Sequence, residues 1–362
     1  MVRSAGTAGR ARPGDARGLL YAALVSEENL QVRLASRPAG RPAADNFSFT
    51  REPRPAPREG QVLLRTRYLS LDPYMRGRMS DAPSYAPPVE VGGVMVGATI
   101  GEVVESRAPG LEPGDLVLAY SGWQRYGVAR AEAVTKLDPE SGVPLTAALG
   151  VLGMPGCTAY VGLMEIGQPK PGETVVVAAA SGPVGATVGQ LARILGARAV
   201  GIAGGPEKAE YVRSLGFDVA LDHRSPTFAA DLAAATPDGI DVYFENVGGH
   251  VWEAVFPRLN QFARVPVCGL VSSYNATSLP DGPDRTPMLL GAILRKSLTV
   301  RGFIVSDFMA EHQPEFLRRA ASWVRDGSLR CREDIVDGLE NAPEAFIGML
   351  EGRNFGKLLV RV

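Results

Sequence analysis

The chain carries two kinds of hydrophobic patterning along its length. Between residues 61 and 137, short β-type runs at 61–68, 94–104 and 115–120 are separated by turn residues. Between residues 173 and 305, strand, Gly-rich turn and helix alternate, which is typical of a parallel, doubly wound sheet. The sequence therefore predicts an α/β protein in which an all-β unit precedes a βαβ unit.

The same patterning predicts the individual elements. After residue 305 it indicates a helix, a short strand, a second helix and a last strand that could return to complete the first unit. The Pro-rich segment 51–58 predicts a loop. The predicted strands of the βαβ unit are 174–178, 199–203, 219–221, 241–245, 263–268 and 298–303, and the later elements are 314–326, 333–336, 343–351 and 357–360.

Composition and charge exclude several functional classes. The 362 residues are 45% hydrophobic, and the 38 basic and 39 acidic side chains are interspersed, so no long-range field favours nucleic acid.

The uncharged runs 141–164 and 174–192 are interrupted by Pro and Gly and do not predict membrane spans. Residues 1–18, rich in Ala, Gly and Arg, predict a disordered tail, with a transit peptide or a misplaced start codon as alternatives. We therefore expect a cytoplasmic protein that binds neither nucleic acid nor membranes.

Cysteine and histidine are too few for several kinds of site. The three Cys residues show no CxxC spacing, as expected in a reducing compartment, and the three His residues are scattered singly. Residues 1–150 contain neither cysteine nor histidine. That part of the chain lacks the soft ligands of a zinc site and the base of a Ser–His or Cys–His pair, so no metal site is predicted.

The segment TVVVAAASGPVGATVG at 174–189 carries the strongest chemical signal. A buried strand leads into a turn and a helix, and the positive end of that helix, near Val184, points at the turn. Ala180 stands at the first Gly position of the usual GxGxxG motif, but the strand, turn and helix context favours a dinucleotide site over a merely tight turn. The predicted cofactor contacts in this turn are Ser181, Gly182, Pro183, Val184 and Gly185.

The end of the second βαβ strand indicates which dinucleotide binds. An NAD site usually has an Asp or Glu there, about 20 residues after the turn, to hold the ribose hydroxyls. Residues 200–205 contain none; instead Gly204 and Gly205 leave room for a larger group, and Lys208 follows. A lysine there can bind a 2′-phosphate, which favours NADPH, although Lys208 could also be an exposed helix residue. His223, after the third strand, could contact the same phosphate or the adenine.

Several long motifs resemble those of a known family. The β-rich first half, the lack of zinc ligands and the ASGPVG turn look like the medium-chain dehydrogenase/reductase superfamily. Within that superfamily, the chain resembles the leukotriene B4 dehydrogenase and prostaglandin reductase family from about residue 22 to residue 362. The motifs that carry this resemblance are LSLDPYMRGRM at 69–79, YFENVGG at 243–249, CGLVSSYN at 268–275, GLENAP at 338–343 and NFGK at 354–357.

The resemblance implies a fold, a reaction and an assembly. It implies a GroES-like β-rich catalytic domain, formed by 19–140 and a C-terminal return at 309–362, around a Rossmann domain at 141–308. It also implies zinc-independent, NADPH-dependent reduction of the C=C bond of α,β-unsaturated ketones and aldehydes, usually by a homodimer that pairs through the edge strand at 298–303. A quinone or carbonyl/alcohol oxidoreductase of the same superfamily and a non-catalytic NADPH-binding protein are the alternatives.

The resemblance also transfers individual residues. Lys208 matches the family's 2′-phosphate lysine, and His223 stands where animal members have a Tyr that contacts the same end of the cofactor. The other positions that match residues bordering the cofactor are Asn246, Cys268, Gly269, Leu270, Ser272, Ser273, Phe303, Ile304, Val305 and Asn354.

The implied reaction requires a hydrogen-bond donor near the substrate. Hydride addition to the β-carbon of an enone develops negative charge on the carbonyl oxygen, which the protein must stabilise. Tyrosines are the favoured donors, because a phenol with a pKa of about 10 is neutral at pH 7. Tyr274, after two serines, and Tyr74, in the Asp-Pro-Tyr-Met turn, are the candidate catalytic residues. The ribose hydroxyl of the cofactor or water could share this role, and either tyrosine could instead only shape the pocket.

Overall fold

The computed structural model describes residues 28–280 and 282–362, so the predicted tail at 1–18 lies outside the described residues. The first part of the chain consists mainly of strands, with one helical turn. These elements are β1 (Glu28–Leu34), β2 (Phe47–Pro53), β3 (Gln61–Ser70), α1 (Met75–Arg78), β4 (Thr99–Ser106), β5 (Leu116–Ala119), β6 (Tyr126–Arg130) and β7 (Thr135–Lys136).

The second part of the chain alternates helices and strands. Several helices have Pro within their first two positions, where its missing N–H breaks no intrahelical hydrogen bond. The elements are α2 (Met154–Val161), β8 (Thr174–Val177), α3 (Pro183–Ile194), β9 (Arg198–Ala203), α4 (Pro206–Ser214), β10 (Val219–Asp222), α5 (Phe228–Ala235), β11 (Ile240–Phe244), α6 (Gly249–Val255), β12 (Leu259–Val267), α7 (Thr286–Lys296) and β13 (Thr299–Gly302). The remaining elements are α8 (Met309–Arg325), β14 (Glu333–Asp337), α9 (Ala342–Leu350) and β15 (Lys357–Arg361).

Strands β8 to β13 form a six-stranded sheet in the order β10-β9-β8-β11-β12-β13. Every pair in it is parallel. Val175 and Val177 of β8 pack into one apolar cluster and Val176 into another, so both faces of the sheet are covered. The strand order reverses between β8 and β11, and open parallel sheets bind ligands at such a point, outside the carboxyl ends of the strands. The predicted α/β class with a doubly wound parallel sheet is confirmed.

A second, seven-stranded sheet joins distant parts of the chain. Its order is β14-β15-β3-β4-β5-β7, and β6 also pairs with β3. The C-terminal strand β15 pairs antiparallel with β3, so that Leu359 lies opposite Ser70. Strands β1 and β2 form a separate antiparallel pair. The C-terminal segment therefore returns to the β-rich unit, while the domain boundaries at residues 140 and 308 stay predictions.

The observed elements differ from the predicted ones in several places. The predicted strand 94–104 begins only at Thr99, because residues 94 and 95 pair with β1 instead. The first three residues of the predicted loop 51–58 belong to β2, and strands β1, β2, β6 and β7 were not predicted. Helix α8 begins at Met309 and contains Pro314, which the prediction placed at its start. No helix in the described part of the chain is long and apolar enough to cross a bilayer.

Candidate active site

The turn after β8 forms a tight connection between strand and helix. Gly182 precedes α3 with an extended backbone, and Pro183 is the first helical residue. A Cβ built on Gly185 would lie 2.4 Å from the carbonyl oxygen of Ala179 and 2.8 Å from Cα of Ala180. A Cβ built on Gly182 would meet, among the described residues, only that carbonyl oxygen within 4 Å, at 3.4 Å. The turn is thus closed against the strand at Gly185 and open at Gly182, which fits a bound pyrophosphate.

The other two residues of this turn face the protein. Ser181 is buried, and the half-buried side chain of Val184 packs against the apolar core. The first N–H groups of a helix have no intrahelical acceptor. A ligand above the turn would therefore meet backbone N–H groups rather than these two side chains.

A basic pocket lies at the ends of β9 and β10. The ammonium of Lys208, on α4, donates a hydrogen bond of 2.6 Å to the carbonyl oxygen of Gly352. Asp222 accepts hydrogen bonds from the backbone N–H groups of Gly205, at 2.8 Å, and Arg224, at 2.9 Å. A Cβ on Gly205 would lie 3.9 Å from Nη1 of Arg224, and a Cβ on Gly352 would lie 3.8 Å from its Nη2. Two cations therefore flank a turn that has no side chain.

The electrostatics of this pocket suit a dianion. Burial and the charge of Arg224 lower the pKa of Lys208, and the carboxylate of Asp334 partly opposes them. A phosphate between the two cations would relieve their repulsion. His223 borders the same space, because a Cβ built on Gly204 would lie 3.0 Å from its Nε2. Gly204, Lys208 and His223, each predicted at the adenosine end of the cofactor, therefore lie at one pocket.

The residues after β11 and β12 line the centre of the sheet edge. Asn246 donates a hydrogen bond of 2.8 Å to the carbonyl oxygen of Ala178, at the end of β8. Burial raises the pKa of the Cys268 thiol to about 12, so this thiol stays protonated and a poor nucleophile. A Cβ on Gly269 would lie 3.1 Å from the hydroxyl oxygen of Tyr274. Glycine at this position therefore makes room for the phenol.

The loop after β12 is held by its own serines. Ser272 donates a hydrogen bond of 2.5 Å to the carbonyl oxygen of Val247, and Ser273 donates one of 2.8 Å to that of Leu270. The exposed side chain of Leu270 lies near Gly248, where a Cβ would be 3.3 Å from its Cδ2. The two hydroxyls thus shape the loop, and the loop presents Leu270 and its backbone toward the sheet edge.

The segment 303–305 places its first side chain in the core. The ring of Phe303 is buried, with its centroid 6.3 Å from that of Phe244. A Cβ on Gly162 would lie 2.6 Å from Cζ of Phe303. Ile304 is half-buried, and Val305 packs partly buried against the same core. This segment therefore offers its backbone, rather than the Phe303 ring, at the end of β13.

Asn354 lies in the C-terminal loop that reaches the basic pocket. Its Nδ2 donates a hydrogen bond of 2.9 Å to the carbonyl oxygen of Gly356. The same loop supplies the Gly352 carbonyl that accepts the hydrogen bond from Lys208. The β-rich unit thus contacts the basic pocket through residues 352–356.

The two candidate catalytic tyrosines lie near a common neighbour. Burial, the Asp72 carboxylate, Tyr120 and Tyr85 all raise the pKa of Tyr74. Burial also raises the pKa of Tyr274, and Tyr85 again contributes. The hydrogen bond from Arg76, two residues after Tyr74, to Asn275, next to Tyr274, brings the segments that carry the two phenols together, and we call the space between these segments the tyrosine cleft. Both phenols remain protonated at neutral pH and can donate hydrogen bonds.

A buried ion pair lies beside Tyr74. The ammonium of Lys357 is 2.9 Å from Oδ1 of Asp72 and donates a hydrogen bond of 2.8 Å to the carbonyl oxygen of Leu71. The side chain of Lys357 is 1% exposed and that of Asp72 is 6% exposed. The hydroxyl of Ser70 donates to the other carboxylate oxygen. The ion pair therefore ties β15 to the turn that carries Tyr74.

Two arginines of α1 hold the cleft together. Arg76 donates hydrogen bonds of 3.1 Å to Oδ1 of Asn275, next to Tyr274, and of 2.7 Å to the carbonyl oxygen of Gly40. The guanidinium of Arg78 lies 4.4 Å from the ring centroid of Tyr85. The contact between Arg76 and Asn275 links the β-rich unit to the loop after β12.

The sequence analysis missed three residues of this site. Arg224 had a usable signal, because it is a second basic residue directly after His223. Tyr85 and Tyr120 had none, because they reach the cleft from loops whose path is not encoded in a local motif. Within residues 28–280 and 282–362, no group of three or more His, Cys, Asp or Glu side chains could hold a metal ion.

Comparisons with known proteins agree with this architecture. The family described as "N-terminal domain of oxidoreductase" matches residues 30–137, and the family described as "Zinc-binding dehydrogenase" matches residues 183–322. Together with the doubly wound sheet and the returning C-terminal strand, these matches define a medium-chain dehydrogenase/reductase.

Three similar proteins narrow the family. The NADPH-dependent curcumin reductase of Escherichia coli (strain K12) is 56% identical over 337 residues, which are 93% of this chain and 97% of that protein. Prostaglandin reductase 1 of Mus musculus is 39% identical over 89% of this chain and 95% of its own length. The crystal structure of CurA from Vibrio vulnificus with NADPH superimposes with a TM-score of 0.89 at 52% identity, covering 92% of this chain and 99% of that one. The chain belongs to the prostaglandin reductase and curcumin reductase family.

Proposed function

We propose that this protein reduces the C=C bond of α,β-unsaturated ketones and aldehydes with NADPH. The observation that carries the proposal is that the β-rich unit contacts both the basic pocket, through the hydrogen bond from Lys208 to Gly352, and the loop of Tyr274, through the hydrogen bond from Arg76 to Asn275. A relative that is 56% identical is named an NADPH-dependent curcumin reductase, which supports both the cofactor and the reaction. A structure at 52% identity contains NADPH.

The proposed cofactor contacts follow the carboxyl edge of the sheet. The open turn at Gly182 takes the pyrophosphate, and Lys208 and Arg224 take the 2′-phosphate, with His223 beside them. The remaining contacts are proposed for the side chains or backbone of Ser181, Pro183, Val184, Gly185, Gly204, Asn246, Cys268, Gly269, Leu270, Ser272, Ser273, Phe303, Ile304, Val305 and Asn354.

The chemistry divides between the cofactor and two phenols. NADPH, when bound, supplies the hydride. Tyr274 and Tyr74 donate hydrogen bonds to the carbonyl oxygen of the substrate, where negative charge develops. Their raised pKa keeps them in the donor form throughout the neutral pH range. Their partly buried setting strengthens these hydrogen bonds, because the local dielectric constant is lower than in water.

We also propose a cytoplasmic homodimer that works without zinc. Strand β13 is an edge strand with every residue exposed, and Leu290 and Leu294 on α7 are 59% and 81% exposed. Pairing of β13 with its copy would cover this edge. Cys157, Cys268 and Cys331 are free thiols, which fits a reducing compartment. The proposed domains are 19–140 with 309–362 for catalysis and 141–308 for the cofactor.

The test is oxidation of NADPH with 3-nonen-2-one as acceptor, run in parallel with NADH and followed by product analysis. We expect a saturated ketone, formed much faster with NADPH than with NADH. An allylic alcohol as product would instead support the carbonyl oxidoreductase alternative. Binding of NADPH with no acceptor-dependent oxidation across enones, enals and quinones would contradict the proposed activity.

A further inference from the structure

Two of the three histidines form a pair beside the basic pocket. His223 follows β10, and His250 lies in the first turn of α6. Nδ1 of His223 is 3.0 Å from Nε2 of His250, and the ring centroids are 5.0 Å apart. A hydrogen bond of this kind has one proton between the two nitrogens, so at least one of the two rings must be neutral.

This contact orients His223 toward the pocket. With Nδ1 engaged by His250, the other ring nitrogen of His223 faces Gly204, where a Cβ would lie 3.0 Å away. The Nε of Arg224 is 3.3 Å from the same point. His250 in turn packs edge-on near Phe228, with ring centroids 6.4 Å apart. His223 is therefore the ring that a ligand can reach, and His250 supports it from the side.

The charges around His223 keep it neutral in the free protein. The titratable groups that face it are His250 from α6 and Asp222 and Arg224 from its own segment. Burial, His250 and Arg224 lower the pKa of His223, and Asp222 partly opposes them. A phosphate dianion next to Nε2 would reverse this balance, because an adjacent negative charge favours the imidazolium.

We propose that His250 is a positioning residue of the 2′-phosphate pocket: it holds Nε2 of His223 toward the pocket, and the histidine pair takes up a proton when a 2′-phosphorylated adenine nucleotide binds. This inference rests on the proposed function, which places the 2′-phosphate in this pocket. Affinity for such a nucleotide falls as the pH rises from the pKa of His223 in the free protein to its higher value in the complex. Below about pH 6 the 2′-phosphate itself gains a proton and loses negative charge, so the affinity for the nucleotide falls again at acidic pH.

The test compares two probes that lack nicotinamide, adenosine 2′,5′-bisphosphate and 5′-AMP. Their binding to the full chain is measured by titration calorimetry between pH 6 and pH 8, in two buffers of different ionisation enthalpy. We expect net proton uptake on binding of the bisphosphate near pH 7, and an affinity that falls toward pH 8. We expect neither effect with 5′-AMP.

Variants of His250 separate positioning from packing. In His250→Leu, which removes the hydrogen bond at an exposed position, bisphosphate affinity at pH 7 should fall about three- to tenfold and proton uptake should decrease. His250→Gln, whose side-chain oxygen can still accept a hydrogen bond from Nδ1–H of the His223 imidazolium, should retain most of the affinity. Affinity for 5′-AMP should stay within about twofold in both variants, because neither touches the pyrophosphate turn.

Failure of the inference and failure of the proposed function give different results. The wild-type protein could prefer the bisphosphate while the His250→Leu variant binds the bisphosphate with the same affinity and proton uptake as the wild type. That result would show that His250 does not position His223. An equal loss of affinity for the bisphosphate and for 5′-AMP would show that His250 contributes only packing, which would also overturn the inference. If the wild-type protein shows no preference for the bisphosphate at any pH, the proposed NADPH site itself is wrong.

Discussion

The basic pocket and the tyrosine cleft are built in different ways. In the pocket, Lys208 lies in the first turn of the helix after β9 and His223 directly follows β10, so the local βαβ pattern brings them together. In the cleft, Tyr74, Tyr274 and Lys357 come from three segments far apart in the chain. Cofactor affinity should therefore depend on local geometry, whereas reactivity should depend on how the chain ends meet.

The largest expected effect tests the contact between the chain ends. Lys357→Met should lower the free energy of unfolding by about 3–5 kcal/mol, because it leaves the buried carboxylate of Asp72 without its partner. Urea denaturation measures this change. The double variant Asp72→Asn/Lys357→Met should recover much of the loss, since it removes both charges. A single variant as stable as the wild type would show that the ion pair does not tie β15 to the turn of Tyr74.

The next effect concerns reactivity. Tyr274→Phe should lower kcat for enone reduction about 10²-fold, the usual contribution of a positioned proton donor, with little change in NADPH affinity. Tyr74→Phe is the parallel variant, and Tyr85→Phe is the matched control, since Tyr85 is exposed and neighbours both. Steady-state kinetics and direct NADPH titration separate the two quantities. Full kcat in both Tyr74→Phe and Tyr274→Phe would assign the donor role to water or to the ribose hydroxyl.

A smaller effect tests the local geometry of the glycine turn. Gly185→Ala should destabilise the protein by about 2 kcal/mol, because its Cβ would lie 2.4 Å from a backbone oxygen. Gly182→Ala is the matched control, since its Cβ has space and should leave thermal stability nearly unchanged while weakening NADPH binding. Equal melting temperatures for the two variants would contradict the difference between the closed and the open side of the turn.

The smallest effect tests the independence of the two regions. Lys208→Met should weaken NADPH binding about tenfold, or about 1.4 kcal/mol, and leave NADH binding unchanged. The value of kcat at saturating NADPH should not change, because the reaction takes place at the far end of the cofactor. Lys208→Arg keeps the charge as a control. A fall in kcat would show that the bond from Lys208 to the Gly352 carbonyl couples the pocket to the catalytic unit.

Much of the pocket could be predicted because parallel strands end at one edge of a sheet. Lys208 and His223 were assigned from their positions after strands, and the structure places both at one pocket. The direction of the Phe303 ring could not be predicted in this way, because a residue after an edge strand can face the core or the groove. The approach of Arg224 to Gly352 depends on the return of the C-terminal loop, which has no local signal.

The sequence by itself determined the doubly wound sheet, the glycine turn and the absence of Cys and His from the first 150 residues. Each of these depends on residues that are neighbours in the chain, so periodicity and turn chemistry are enough to identify it. Only the tertiary structure decided that the segments of Tyr74 and Tyr274 meet through Arg76 and Asn275, that Lys357 pairs with Asp72 and that His250 contacts His223. Those contacts join distant segments, and their geometry follows from packing and burial of the whole chain.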